Sequence, residues 1–185
     1  MIARLAGLAM LSVATPAGAE ILLNGYDHPG EWTGAKLLHD TPALRVEALA
    51  DRDWLYLQIA RPGGTVSGAD VYIGDATRPR AMLHLSSALA EAARERGQTG
   101  YDYGVWGANR DWAASVVSSW QADGRTRFTR PEIHEFQIAR AKFGDAAPRL
   151  MVVLKRSEAR APATADPADS ATWLAFAFAD IPAPR

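Results

Sequence analysis

The chain has 185 residues, 20 Lys and Arg against 21 Asp and Glu, and a formal net charge of −1. That length supports one domain with its own core, and the balanced charge offers no basic excess to suggest nucleic acid and no acidic tail to suggest a histone-like or metal-storage partner. The absence of cysteine excludes disulfides, thiolate metal sites, a cysteine nucleophile and covalent c-type haem attachment.

Residues Met1 to Arg4 form a short positive stretch, Leu5 to Val13 an apolar one, and Ala17-Gly18-Ala19 a small-residue cleavage site. This order predicts a secretory signal peptide over 1–19, cut after Ala19. The apolar run is too short to span a bilayer, and no later segment reads as transmembrane. The Ala- and Arg-rich composition fits a GC-rich bacterial genome, so the expected destination is the periplasm or the medium.

The mature domain, 20–185, opens on a short strand, Ile21-Leu22-Leu23, closed by the turn Asn24-Gly25. A turn-rich loop to Trp32 follows. Leu44 to Ala50 alternates apolar and polar residues and turns at Asp51-Arg52-Asp53 into a second alternating run, in which Leu55, Leu57 and Ile59 oppose Trp54, Tyr56 and Gln58. Val71 and Ile73 flank Tyr72, and Leu83 and Leu85 flank His84. Period-two alternation puts one set of side chains into a core and the other on the opposite face. Ala88 to Arg96 changes period: Leu89, Ala92 and Ala93 share a helical face, so a short helix is expected.

Gly97 to Asp111 carries four glycines and three aromatics without a period, which reads as a long loop, the kind that carries function. Trp112 to Trp120 and Arg125 to Phe128 have strand composition and can pair. His134-Glu135-Phe136-Gln137-Ile138 is a strand with His134, Phe136 and Ile138 on one side. Ala139 to Gly144 is a turn that tucks in Phe143. Leu150 to Leu154 is nearly all apolar, as in a strand covered on both faces. Ser157 to Ala171 is expected to be a mobile surface loop, and Trp173 to Phe178 the last strand, with Leu174, Phe176 and Phe178 inward. Nine or ten short strands separated by turns predict an all-β, two-sheet antiparallel sandwich, jelly-roll-like, with one short helix.

Four stretches together resemble the family 9-like carbohydrate-binding modules and the wider DOMON-like sandwiches. They are Ile21-Leu22-Leu23-Asn24-Gly25 with Glu31-Trp32, Asp53-Trp54-Leu55-Tyr56-Leu57, Asp70-Val71-Tyr72-Ile73 with Leu83-His84-Leu85-Ser86, and His134-Glu135-Phe136-Gln137-Ile138 through Lys142-Phe143-Gly144. The chain departs from that pattern at Asn24, His134 and Ala139, where Asp, Tyr and Pro are usual. Asn24 weakens a calcium site at its turn, because calcium favours charged carboxylates. The resemblance implies a non-catalytic domain that binds a sugar or, in some relatives, haem.

Sugar binding needs flat aromatic faces and polar rims. Tyr103, Trp106 and Trp112 are the expected platform, with Asp102, Asn109 and Arg110 as rim. The competing reading is that these aromatics pack the loop onto the sandwich. A second candidate surface is the non-core face holding Trp54, Tyr56, Tyr72, Met82 and His84, which lines a groove if one sheet is open there. Haem would need two axial ligands from opposite sides of the ring, such as His84 with Met151. Asp51/Asp53 and Asp70/Asp75 are carboxylate pairs that suit backbone turns or a calcium ion. No G-x-S-x-G or H-E-x-x-H motif occurs, so no enzyme is expected. The expectation is a ligand-binding domain, first for carbohydrate, then for haem or another small cofactor, with a protein-interaction domain of the cell envelope as a third reading.

Overall fold

The computed structural model describes residues 21–86, 88–94, 111–115, 118–120, 126–128 and 131–185. Two antiparallel sheets pack face to face, as the alternation predicts. The strands, in chain order, are β1 (Lys36–Asp40), β2 (Arg45–Ala50), β3 (Trp54–Ala60), β4 (Ala69–Asp75), β5 (Pro79–Leu85), β6 (Leu89–Ala93), β7 (Trp112–Ala114), β8 (Ser118–Trp120), β9 (Thr126–Phe128), β10 (Ile133–Ala139), β11 (Pro148–Leu154), β12 (Arg160–Ala161) and β13 (Leu174–Ala175). Among the described residues the first sheet is five-stranded, in the order β1-β2-β3-β10-β7. The second is six-stranded, β12-β11-β4-β5-β6, with β13 also beside β11. β8 and β9 form a separate hairpin.

The core lies between the sheets. Leu55, Leu57, Ile59, Phe136 and Ile138 of the first sheet meet Val71, Ile73, Leu83, Leu85, Leu150 and Val152 of the second, all buried. Each of these side chains comes from alternate positions of its strand, which is why the polar residues between them face outward. Phe143 closes one end, with its ring edge-on to Phe176 and Phe178, both at 5.6 Å.

The outward faces are not left to solvent. Ile21, Trp32 and Leu49 form a cluster on the first sheet. Tyr72, Met82, Ala92, Met151, Val153, Ala165 and Trp173 form another on the second. That second cover explains why β4 is buried along its whole length and why β11 has no polar face: both sides of each strand meet apolar atoms.

Four expectations change. Where a helix is expected from Ala88, the described residues form the edge strand β6 at Leu89–Ala93, paired to β5 with His84 opposite Ala90 and Met82 opposite Ala92. A tight turn, closed by Ser86 N–H to the Ala88 carbonyl at 3.0 Å, folds the chain straight back, and pairing then overrides alanine's helical preference. Ile21-Leu22-Leu23 is not a strand but irregular chain tied down by buried carboxylates. Ser157 to Ala171 is a cover: Ala161, Ala165 and Ser170 are buried, and Trp173 Nε1–H donates to the Asp166 carbonyl at 2.7 Å. Trp173 to Phe178 is a strand only at Leu174–Ala175, after which Phe178–Asp180 forms a 3-10 turn.

Candidate functional site

The outer face of the second sheet carries a connected cluster of polar side chains, Asp70, His84, Ser86 and Lys155. Antiparallel pairing sets Asp70 of β4 directly opposite His84 of β5. His84 Nδ1 lies 2.6 Å from Asp70 Oδ1, and His84 Nε2 lies 3.0 Å from Ser86 Oγ. Lys155, just past β11, donates from Nζ to the other Asp70 oxygen at 3.0 Å. Gly68 lets the chain pass close by: its φ is +154°, and a Cβ there would sit 2.8 Å from the Leu85 carbonyl and 3.5 Å from Ser86 Cβ. Burial alone would raise the Asp70 carboxyl, but His84 and Lys155 outweigh it and hold the group below its ordinary value. Asp70 is therefore an anion at neutral pH, with both oxygens engaged. The absence of a G-x-S-x-G run did not prevent an Asp-His-Ser line, because a cross-strand pair and an i, i+2 pair assemble it without an elbow.

An open cleft lies at the opposite end of β5. Arg78, Pro79, Arg94, Asp166, Pro167 and Ala168 line about 490 Å³. Arg94 extends from the end of β6, its guanidinium carbon 5.6 Å from the centre of the Tyr72 ring and one nitrogen 3.5 Å from Met82 Sδ. Its Nε is buried without a hydrogen-bond partner. The Ser157–Ala171 cover forms the far wall. Neither arginine stands out in the sequence, because Arg is frequent in this chain.

The first sheet holds two buried acids on its outer face. Glu135 is fully buried and accepts from the Asn24 and Gly25 amides, both at 2.8 Å. Gly25 has a φ of +84°, and a Cβ there would meet Pro131 Cβ at 2.8 Å. Glu31 accepts from the Leu22 amide. Glu135 Oε1 and Glu31 Oε2 have no hydrogen-bond partner. Burial pushes Glu135 up to about 7; the Gly25 and Asn24 amides oppose this, while the nearby Glu31 carboxylate adds to it. Glu135 pins the 21–34 segment to β10, and Glu31 ties the two ends of that segment together.

The expected site residues divide as follows. Tyr103, Trp106, Asp102, Asn109 and Arg110 lie outside the described residues. Trp112 is 3% exposed, stacks on Phe136 at 6.2 Å, and donates from Nε1 to Glu91 at 2.9 Å. It is a core residue that joins the edges of the two sheets, so it cannot offer a face to a sugar. Tyr72 is buried edge-on to Trp173 at 6.0 Å. The supposed groove of Trp54, Tyr56, Tyr72, Met82 and His84 does not exist. Trp54 and Tyr56 face outward from the first sheet, the others outward from the second, and the two outer faces point apart.

Haem does not fit the residues proposed for it. Both ring nitrogens of His84 are engaged, Met151 is fully buried, and both side chains point out of the same sheet. Nor do the paired aspartates build a calcium site: among the described residues no three carboxylates or histidines come together as metal ligands. Asp51 accepts from the Asp53 and Trp54 amides and the Tyr56 hydroxyl. Asp75 accepts from Thr77, the Arg78 amide and Arg80. Although burial works against it, these donors hold the Asp75 carboxyl far below its ordinary value. No family model matches this chain, and no curated protein or solved structure is significantly similar to it.

Proposed function

We propose that the protein is an exported ligand-binding β-sandwich whose first ligand class is carbohydrate. The observation that carries this is the open cleft over the second sheet. Its volume of about 490 Å³ is within the range of small-ligand sites. Arg78 and Arg94 offer donor forks and Asp166 an acceptor, which is the complement of a ring of hydroxyls. Pro79, Pro167 and Ala168 offer apolar contact to sugar C–H groups. Support also comes from the family-9-like stretches and from the Tyr- and Trp-rich segment 101–106.

Calorimetric titration with a panel of cello-, xylo- and manno-oligosaccharides tests the reading. At least one is expected to bind, and Arg94→Ala to weaken it tenfold or more with the fold intact by circular dichroism. A Trp106→Ala effect without an Arg94→Ala effect would move the site to the aromatic segment. Failure of every glycan to bind would remove carbohydrate as the ligand. Export is read separately: the secreted chain is expected to begin at Glu20, and secreted material beginning at Met1 would refute the leader. No helix among the described residues is long and apolar enough to cross a membrane.

A further inference from the structure

We propose that Ser86 is an activated nucleophile, that His84 is its general base, and that Asp70 holds His84 for that role, so that this face transfers acyl groups from small carboxylic esters to water. The inference goes beyond ligand binding and does not depend on the cleft.

Three observations lead to it. First, the distances are those of a nucleophile, a base and an orienting acid: 3.0 Å from Ser86 Oγ to His84 Nε2 and 2.6 Å from His84 Nδ1 to Asp70 Oδ1. Such a set is recognised by geometry and role, whatever the chain order or fold. Second, the tautomer is fixed. Asp70 is ionised, so the proton between it and His84 sits on Nδ1. In the neutral ring Nε2 then carries the lone pair, 3.0 Å from the Ser86 hydroxyl that can donate to it. Third, the accessibility grades correctly. Asp70 is 3% exposed, its second oxygen satisfied by Lys155, whereas His84 and Ser86 are only partly covered.

The chemistry balances. Ser86 Oγ attacks the ester carbonyl carbon while its proton passes to His84 Nε2. The tetrahedral adduct collapses, the bond to the leaving alkoxide breaks, and that alkoxide takes the proton from His84. Water then attacks the acyl-serine, again giving a proton to Nε2. The bond to Oγ breaks, Ser86 recovers its proton, and the carboxylic acid leaves.

Serine hydrolases commonly use the nucleophile's neighbouring amides to hold the oxyanion. Here Ser86 N–H is occupied by the Ala88 carbonyl at 3.0 Å. One missing donor costs about 10²- to 10³-fold in rate. Slow turnover is therefore expected, and covalent trapping with an activated reagent is the sensitive readout.

The test incubates the full chain with an alkyl fluorophosphonate, in which Oγ attacks phosphorus, fluoride leaves and His84 takes the proton. The expected result is a single adduct on the peptide containing Ser86, located by mass spectrometry. Ser86→Ala removes only a partly covered hydroxyl and should abolish labelling while keeping its unfolding midpoint. His84→Gln should slow labelling about 100-fold and Asp70→Asn about tenfold or more. An unlabelled wild type, an adduct on another residue, or a His84→Gln protein labelled at the wild-type rate each overturns the proposal.

Discussion

Replacing Glu135 by Gln is expected to stabilise the protein by about 3 kcal/mol at pH 8 and to change little at pH 4. Glu135 is fully buried, and one of its oxygens has no partner. Burial, reinforced by Glu31, lifts its carboxyl from 4.5 to about 7. Below pH 4.5 the acid is protonated in both folded and unfolded chains and costs nothing extra. As pH rises from 4.5 to 7, the unfolded chain ionises while the folded one resists, so stability falls through that window and stays low above it. Gln keeps an acceptor for the Asn24 and Gly25 amides and removes the charge. Urea unfolding at the two pH values measures the difference. A Glu135→Gln protein less stable than wild type at pH 8 would show that the ionised form is favoured there. Glu135→Ala, which abandons both amides, is expected to destabilise at every pH.

The neighbouring residue gives the opposite slope. His134 is fully buried among the inward side chains of β10, and neither ring nitrogen has a hydrogen-bond partner. Burial depresses its ring to about 4. Here the stability is complete above pH 6.5 and is lost as pH falls towards 4, because the unfolded chain takes up the proton first. His134→Leu, of similar volume, should be the more stable protein at pH 7, since it no longer buries two unsatisfied nitrogens. Its advantage should grow by about 3 kcal/mol between pH 7 and pH 4. Between pH 4.5 and 6.5 the two wild-type slopes nearly cancel, so each single variant uncovers the other's slope. His134→Leu should lose stability with rising pH, Glu135→Gln should gain it, and the double variant should be flat. Parallel unfolding curves for the two single variants would contradict this account.

Much of the sandwich could be read from residues. Leu55, Leu57 and Ile59, or Val71 and Ile73, alternate because one face of each strand is buried, and Leu150 to Leu154 is continuous because both faces are. The edge strand β6 was hidden, because Leu89, Ala92 and Ala93 fit a helical face as well as a strand and alanine carries no β signature. Alternation tells inward from outward but does not say to which sheet a strand belongs. Trp54 and His84 therefore looked like neighbours, although β10 and β11, distant in sequence, draw β3 and β4 into different sheets. The Ser157–Ala171 cover was illegible for a related reason: its burial depends on Trp173 and on small side chains whose composition suggests solvent.

The site was half legible. A hairpin centred on Thr77 places Asp70 opposite His84, and Ser86 follows two residues later on the same face. That register was within reach, but Lys155, more than 80 positions from Asp70, was not. Arg94 was missed because its position depends on β6 being a strand. Trp112 was misread because tryptophan composition serves a core as well as a platform, and its Nε1 contact with Glu91 needs the two sheet edges side by side.

Each sheet is completed by a strand made late. β10 lies against β3, and β11 against β4, so the inner ladders of both sheets wait for the last third of the chain. A ribosome that has released the first 120 residues holds a nascent polypeptide with two bare strand edges and no way to close either. Such a chain cannot close either sheet until synthesis is nearly finished, so its collapse into the native shape waits for the end of translation.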